Sequence, residues 1–432
     1  MTQLHRRIGL LALTVYGVGD ILGAGIYGLV GKAAGELGNV VWMGFLASMV
    51  AAGLTGLSYA SIGSRYPRAG GAAYVTQRAF GSSFLAYVIG LIALASGLTS
   101  MAVGSRAFAG YFTGLVTSIP MTLAILGFCA LIAALIIIGI REAMWANLLC
   151  TFIELSGLLL ILACGASYWG SVDYFSAVTN ANPSGDITTS LIFSGAVLTF
   201  YSFVGFEDIL NVSEEVIEPE RTVPRGLILA VIISSIVYMG ISITAVSVLS
   251  PAELGASKQP LVDVMARAAP WFPRPLFGLI AMFAVANTAL LNGIMGSRLM
   301  YGMAHQGLLP RPLAKVNAKT RTPHVAALII VGIVVAMALT GDISALARAT
   351  SILLLLCFCV VNLALVVLQR RKAEPKGKFE VPTIIPVMGA LVCAAMLTQA
   401  KMAELTISLI ILSIILVLYF ALRPSAGAVE KL

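Results

Sequence analysis

The sequence has 432 residues, of which 59% are hydrophobic and only 11% are charged, and its mean hydropathy is +0.97. Soluble domains carry about 25% charged residues, so the composition excludes an ordinary soluble protein and indicates a chain that crosses a membrane many times. The formal net charge of +8 does not indicate a nucleic-acid partner, because most Lys and Arg residues lie between apolar spans on one predicted side.

Twelve apolar segments are each long enough to cross a bilayer as a helix, which predicts an all-α polytopic membrane protein. If the N-terminus is cytoplasmic, the cytoplasmic connections hold most of the 27 Lys and Arg residues, as the positive-inside rule requires. We therefore expect a multi-pass protein of the cell inner membrane with both termini in the cytoplasm. The predicted spans are 8–35, 39–62, 82–113, 119–140, 144–168, 188–213, 224–250, 275–303, 323–341, 344–368, 382–400 and 404–422.

The first span is rich in glycine near its middle, with five glycines between Gly17 and Gly28. Glycine disfavours a helix interior by about 1 kcal/mol and accepts positive φ, so we predict that the helix unwinds near Gly23-Ala24-Gly25. Unwound backbone at membrane depth persists only where it is buried in protein or lines a cavity. The alternative interpretation is close helix packing, because Gly19 and Gly23 form a G-x-x-x-G pair.

Enzyme and sensor functions find little support in the sequence. Gly23 to Gly28 matches the dinucleotide fingerprint G-x-G-x-x-G, but that motif requires a preceding strand, and here both flanks are apolar membrane sequence. The six cysteines have no metal-ligand spacing, and the sequence contains no nucleophile–base set. The segments 1–7 and 423–432 are too short for a signalling domain. We expect no enzyme activity, metal or cofactor.

The fifth predicted span carries Glu154 near the centre of the hydrocarbon region. An ionisable side chain at that depth costs at least ~2.5 kcal/mol to insert, so it is expected to face the bundle interior. There it is predicted to take up and release a proton or to bind a cation; the alternative is a protonated Glu that only joins two helices. Asp20 in span 1 and Asn287 in span 8 are further candidates for coupling or gating.

A second interruption is predicted in span 6, where Gly205 precedes Glu207 and Asp208 inside an apolar run. Gly205 lies 180 residues after Gly25, and each interruption falls in the first span of a five-span set. Because five is odd, the second set enters the membrane with the opposite orientation, and paired interruptions in inverted halves indicate a transporter's substrate site. We predict a transport core at 1–369, built from sets 8–168 and 188–368, and a scaffold with the C-terminal tail at 370–432.

The chain resembles the amino acid–polyamine–organocation family of transporters over nearly its whole length. The stretches that carry the resemblance are Gly23-Ala24-Gly25-Ile26-Tyr27, Phe203-Val204-Gly205-Phe206-Glu207, and Ser297 to Pro310. The resemblance implies a five-plus-five inverted-repeat core with helices 1 and 6 broken at a central amino-acid site. It also implies alternating access, in which helices 1, 2, 6 and 7 rock against helices 3, 4, 8 and 9.

The family pattern and the physics of helix ends predict the same pocket. The free amides that follow the break in span 1 suit a carboxylate, and carbonyls released by the two breaks suit an α-ammonium. The resemblance further implies aromatic cover from span 6 and selectivity from span 3. The predicted binding residues are Ile21, Gly23, Ala24, Gly25, Ile26, Ala95, Ser96, Tyr201, Val204 and Phe206; those for coupling or gating are Asp20, Glu154, Glu207 and Asn287.

Two positions depart from the family pattern. Ala24 stands where the family commonly has Ser, so the carboxylate relies on backbone amides. Glu154 stands where many relatives that do not use sodium have Lys, and this reversed charge leaves the coupling mechanism open. We predict proton-coupled symport of an amino acid, with amino acid/amine exchange and sodium-coupled symport as alternatives. The expected partners are the amino acid, a proton and the bilayer, and the chain is expected to be a monomer or a homodimer.

Which amino acid is carried stays open in the sequence. Glu207 and Asp208 favour a cationic substrate, whereas Ala24 and Phe206 favour a neutral one. In the family that the chain resembles, the first of the two acids usually serves packing and gating within helix 6.

Overall fold

The computed structural model describes residues 8–67, 71–116, 118–138, 140–180, 182–305, 308–317, 320, 322–340 and 342–422. The predicted cytoplasmic tails, 1–7 and 423–432, lie outside the described residues. Most of the described chain is helical, and within these ranges it forms no strand beyond isolated bridges such as that between Ile8 and Val216. The predicted all-α fold class is confirmed.

Sixteen α-helices occur in the described ranges, and short 3₁₀ helices join several of them. The α-helices are α1 Leu10–Ile21, α2 Ala24–Leu37, α3 Val41–Arg65, α4 Gly71–Phe80, α5 Ser83–Leu115, α6 Met121–Ile138, α7 Ile140–Gly165, α8 Thr189–Phe200, α9 Pro219–Val248, α10 Pro251–Ala256, α11 Pro260–Ala268, α12 Arg274–His305, α13 His324–Thr340, α14 Ile343–Arg370, α15 Ile384–Leu397 and α16 Met402–Leu422. The 3₁₀ helices are Gly38–Val40, Ala166–Tyr168, Tyr201–Phe203, Phe206–Glu215 and Arg311–Ala314.

Nine helical stretches of the described chain are long and apolar enough to cross a membrane. The first, Leu10–Arg65, runs from α1 to α3 and therefore contains two of the predicted spans. The helices α13 and α15 are apolar but shorter than the other candidates. Large apolar side chains on the outside, such as Phe152 and Ile236, suit contact with lipid. The protein is a multi-pass helical membrane protein, and the count of twelve spans stays a prediction.

The interior is built around α5, which packs along α12 and α14, while α3 packs along α9 and α1 packs against α7 and α9. Glycine permits the close approach of α5 to α12. A Cβ atom added at Gly104 would lie 3.1 Å from the Val285 carbonyl oxygen, and one added at Gly97 would lie 3.0 Å from the Met295 side chain. Such small residues bring helix backbones close together inside a membrane, where burial alone does not hold helices together.

One face of the bundle is covered by α4 and by segment 371–383, which links α14 to α15. We call α4, this segment and the adjoining ends of α3 and α9 the α4 face. The Arg371 guanidinium donates to the carbonyl oxygens of Arg78 and Ala79 at 2.9 and 2.7 Å, and the Phe379 amide donates to Ser64 Oγ at 2.9 Å. The segment is thereby attached to both α4 and α3.

Carboxylates on the α4 face are paired. Glu374 accepts hydrogen bonds from the Tyr66 hydroxyl at 2.6 Å and from Arg78 Nε at 2.7 Å. Glu380 pairs with Arg65 at 2.5 Å. Burial, together with the hydrogen bond to Glu374, raises the pKa of Tyr66 to about 12, so this hydroxyl remains a donor at neutral pH.

At the far end of α2 from the break, α10 packs closely on the helix. A Cβ atom added at Gly35 would lie 2.8 Å from the Gly255 Cα atom, and Lys32 Nζ donates to the Gly255 carbonyl at 2.8 Å. These contacts place the chain that follows α9 against α2. Nearby, Glu36 forms an ion pair with the buried Arg348 of α14.

Candidate functional site

The first membrane helix is interrupted between α1 and α2. α1 ends at Ile21, and Gly23 has φ 117° and ψ −128°, a conformation that a residue with a side chain rarely adopts. A Cβ atom at Gly23 would also lie 2.3 Å from Thr288 Oγ1. The interruption predicted near Gly23-Ala24-Gly25 is therefore present, and Gly23 is required by both its backbone conformation and its close neighbour.

The second interruption lies after α8. The 3₁₀ turn Tyr201–Phe203 ends at Val204, whose backbone is extended, and Gly205 has φ 122° before the chain resumes as a 3₁₀ helix at Phe206. A Cβ atom at Gly205 would lie 2.8 Å from the Asp20 carbonyl oxygen and 3.0 Å from Asp20 Cγ. Gly205 therefore permits direct contact between the second interruption and the last turn of α1.

The two interruptions make a second contact, between the first turn of α2 and the 3₁₀ turn that follows α8. A Cβ atom at Gly25 would lie only 2.4 Å from the Ser202 Cα atom, so the first turn of α2 rests directly on the Tyr201–Phe203 turn. The Tyr238 hydroxyl of α9 contacts the carbonyl oxygens of both Ile21 and Ser202, the latter at 2.7 Å. One side chain from α9 thus reaches both interrupted helices.

Three backbone groups beside the interruptions have hydrogen-bond partners in this conformation. The Ala24 amide donates to Thr288 Oγ1 at 3.1 Å. The Ile21 carbonyl accepts from the Tyr238 hydroxyl, and the Tyr201 carbonyl accepts from the Val204 amide at 3.2 Å. Side chains of α9 and α12 and the local turn satisfy these groups, because a buried backbone group without a partner is unfavourable.

The amides of Gly25 and Ile26 have no carbonyl within their own helix to bond, because they belong to the first turn of α2. The first backbone hydrogen bond with α-helical spacing in α2 runs from the Tyr27 amide to the Gly23 carbonyl, at 3.1 Å. These two amides lie at the positive end of the helix dipole, which favours a negatively charged group.

The remaining predicted binding residues lie in different surroundings. Ser96 and Val204 line a cavity next to the second interruption. Ala95 is half-buried on α5. The Tyr201 hydroxyl lies 3.0 Å from Ser100 Oγ, and the Phe206 ring is buried against the rings of Tyr59 and Phe358.

The cavity runs from the second interruption towards α4. Its volume is about 40 Å³, which is room for about three water molecules. In this conformation it is a narrow passage rather than a chamber of amino-acid size. Its lining residues are Tyr59, Gly71, Ala72, Ala73, Gly90, Ala93, Ser96, Val204, Glu207, Asp208, Asn211, Asn292, Met295, Leu299, Leu354 and Cys357.

Two carboxylates beside the interruptions are buried without partners. Glu154 is 0% and Asp20 is 2% exposed, and none of their four carboxylate oxygens has a hydrogen-bond partner among the described residues. By contrast, Glu207 accepts from the Gly205 amide at 3.0 Å, and Asp208 accepts from Asn211 Nδ2 at 3.2 Å. An ionised carboxylate in such surroundings is strongly unfavourable, so a proton or another cation must compensate it.

Glu154 lies where α7 packs against α1 and α12, and it also contacts Tyr27 of α2. Its backbone carbonyl accepts from the Tyr27 hydroxyl of α2 at 2.7 Å. One turn earlier, Thr151 Oγ1 accepts from Asn287 Nδ2 of α12 at 3.3 Å, and the same Asn287 amide donates to the Gly19 carbonyl of α1 at 3.3 Å. The structure therefore brings Glu154 and Asn287, both predicted from the sequence, to one junction with the interrupted helix.

Sequence reasoning missed Tyr238, because it lies in an apolar stretch of α9 with no local signal. Thr288 was visible only as one polar residue beside Asn287. Each acts on an interruption more than 30 residues away in sequence, so neither role follows from local spacing.

The fold and the site define a helical membrane protein in which two interrupted helices meet inside the bundle, beside buried carboxylates. The chain belongs to the amino acid permease family, whose sequence model matches residues 8–423. This finding confirms the resemblance drawn from the glycine-containing stretches.

Several relatives are similar over most of this chain. The branched-chain amino acid permease BcaP of Bacillus subtilis (strain 168) is 26% identical over 440 residues, which cover 97% of this chain and 93% of the relative. Cationic amino acid transporter 4 of Mus musculus is 29% identical over 395 residues, covering 87% and 61%. The vacuolar cationic amino acid transporter 2 of Arabidopsis thaliana is 30% identical over 393 residues, covering 85% and 60%. The chain spans about three fifths of the length of these two cationic transporters.

Proposed function

We propose that the protein is a secondary active transporter that carries amino acids across the cell inner membrane by alternating access. The observation that carries this proposal is the direct packing of Gly25 on Ser202, with Gly205 packed on Asp20. Two helices interrupted where they touch offer opposite helix ends to one ligand, which suits a zwitterion. The names of the relatives, permeases and transporters of amino acids, support the same substrate class.

The proposed site holds the substrate carboxylate at the amides of Gly25 and Ile26. The α-ammonium then takes the place of the Tyr238 hydroxyl at the carbonyls of Ile21 and Ser202, with Val204 beside it. Ser96, Ala95 and the aromatic rings of Tyr201 and Phe206 surround the substrate side chain. In this arrangement Gly23 and Ala24 set the direction of the first turn of α2 rather than contacting the substrate through free amides.

The proposed architecture is twelve spans with a five-plus-five inverted repeat in residues 1–369 and a scaffold in 370–432. Both termini lie in the cytoplasm, and the α4 face is the cytoplasmic face. Basic residues on the α4 face, such as Arg65, Arg78 and Arg371, support this orientation. In the same scheme Glu207 gates the passage that leads to α4.

We assign coupling to Glu154, with Asn287 and Asp20 beside the same stretch of α1. Glu154 is fully buried without a partner for its carboxylate and contacts α2 through its backbone. A carboxyl group in this place binds a proton readily, and movement of α1 and α2 on substrate binding changes its access to water. This chain thus transports the amino acid together with a proton.

Uptake by purified protein in proteoliposomes tests the proposal. With an inward proton gradient, we expect uptake of an amino acid to rise, and collapse of the gradient or the change Glu154→Gln to remove that rise. The matched control is Glu218→Gln, which removes the same charge at an exposed position and should transport normally. Absence of uptake for all twenty amino acids contradicts transport.

The same assay separates the coupling alternatives. Uptake that occurs only into preloaded vesicles, and that ignores the gradient, indicates exchange of two amino acids or of an amino acid and its amine. Loss of uptake when choline replaces sodium indicates sodium coupling. Either result overturns proton symport and leaves amino acid transport standing.

A further inference from the structure

The passage beside the second interruption is lined by two carboxylates, Glu207 and Asp208, and none of the described residues that line it carries a basic side chain. We infer that this end of the passage, formed by Asp208, Asn211 and Glu207, binds the positively charged end of the substrate side chain. The transported substrate is then a cationic amino acid. This inference rests on the proposed transport function, whose binding site for the α-amino and carboxylate groups lies at the interruptions.

Asp208 is held in position for such contact. It is 4% exposed and lies against the cavity, while Asn211, three residues later, donates its amide Nδ2 to Asp208 Oδ1 at 3.2 Å. A side chain fixed in this way loses little further freedom when it binds an ammonium or a guanidinium group, and charge-assisted hydrogen bonds of this type are the strong ones.

A third carboxylate, from the other interrupted helix, lies next to Gly205. Asp20 Cγ lies 3.0 Å from the Cβ position of Gly205, and both Asp20 carboxylate oxygens are buried without a partner among the described residues. Asp20 therefore packs against Gly205, two residues before Glu207. An ionised carboxylate buried here must be compensated by a proton or another cation, and a substrate cation that enters the passage supplies such a charge.

An organic cation fits this passage better than a metal ion does. The described residues contain no group of three or more His, Cys, Asp or Glu side chains that could hold a metal ion. The passage is also lined by the apolar side chains of Met295, Leu299 and Leu354, which suit the apolar four-carbon stem of a lysine side chain.

The spacing from the interruption to Asp208 also suits a long side chain. Asp208 follows Gly205 by three residues, all of which belong to the 3₁₀ helix Phe206–Glu215, and such a helix rises about 2 Å per residue. A substrate whose α-carbon lies at the interruption therefore needs an extended side chain to reach the carboxylate. The passage has to widen beyond its present volume of about 40 Å³ when the substrate enters.

Competition for uptake by three amino acids of similar size tests the inference. L-lysine carries the charge, N6-acetyl-L-lysine lacks it at similar length, and L-norleucine has only the apolar stem. We expect lysine to compete with radiolabelled lysine at a concentration about tenfold or more below that of the other two, as a charge-assisted hydrogen bond predicts. Asp208→Asn should reduce this ratio to near one, while Glu218→Gln, at an exposed carboxylate, should keep it.

The possible outcomes test separately the substrate class, the role of Asp208 and the proposed transport function. Uptake and competition by norleucine or leucine without any by lysine overturn the inference, whereas amino acid transport stands. Lysine preference that persists in Asp208→Asn overturns the assignment to Asp208. If that variant fails to fold, the comparison of the three amino acids on the unaltered protein still decides the substrate class. No transport of any amino acid contradicts the proposed function itself.

Discussion

Carboxylates at the interruptions and carboxylates on the α4 face are treated differently by the same fold. Glu374 and Glu380 each accept a hydrogen bond from an arginine and are partly exposed. Asp20 and Glu154 are buried, and their carboxylate oxygens have no partner within the described ranges. The paired acids near the surface have a structural role, because they attach one segment of the chain to another. Unpaired acids inside a membrane are unfavourable for stability, and so they point to a function that requires them.

The largest effect is expected from a substitution that disrupts the contact between the two interruptions. Gly25→Ala places a Cβ atom 2.4 Å from the Ser202 Cα atom, and we expect it to abolish uptake and to destabilise the protein by about 1–3 kcal/mol through overpacking. Gly28→Ala is the matched control, since its Cβ atom meets only Ala107 Cβ at 3.8 Å. Thermal unfolding in detergent and uptake in proteoliposomes measure both variants. Normal transport by Gly25→Ala contradicts the close packing of the two interruptions.

An effect of intermediate size is expected when one carboxylate of each kind is replaced by its amide and the two variants are compared. Glu154→Gln removes an unpaired charge, and we expect it to keep or raise the melting temperature while it removes coupling to the proton gradient. Glu374→Gln removes a charge that pairs with Arg78 and Tyr66, so we expect a lower melting temperature. The loss should be at most about 1 kcal/mol, because Arg78 is partly exposed. Changes of the same sign in both variants contradict the distinction drawn here.

The smallest expected effect is the pH dependence of the α4 face. Burial alone would raise the pKa of Glu374, but the hydrogen bonds from Tyr66 and Arg78 outweigh it and hold the pKa below its usual range. A carboxyl group whose pKa is lowered by folding stabilises the folded state above its unfolded pKa, and this stabilisation is lost as the pH falls through the folded pKa.

The measurement follows from that sign. Melting temperatures of the unaltered protein and of Glu374→Gln should differ above about pH 5 and converge as the pH falls well below the ordinary glutamate pKa of about 4.3. A difference that stays constant over this range shows that the charge of Glu374 does not hold segment 371–383 in place.

The sequence by itself determined the helical membrane class and the location of both interruptions. Apolar length defined the spans, and the glycines at Gly23 and Gly205 marked the positions where positive φ was needed, because these properties reside in single residues and their immediate neighbours. It also located Glu154 and Asp20 inside the membrane, since a charge in an apolar run is visible without any structure.

Only the tertiary structure decided which groups at the interruptions remain available. Thr288 bonds the Ala24 amide and Tyr238 reaches the Ile21 carbonyl, so two groups expected to be free are paired. It likewise placed Asp20 against Gly205, which brings acids from two distant parts of the chain together. The physical reason is that hydrogen bonds between distant helices depend on how the helices pack, and packing geometry is not encoded in the local spacing of residues.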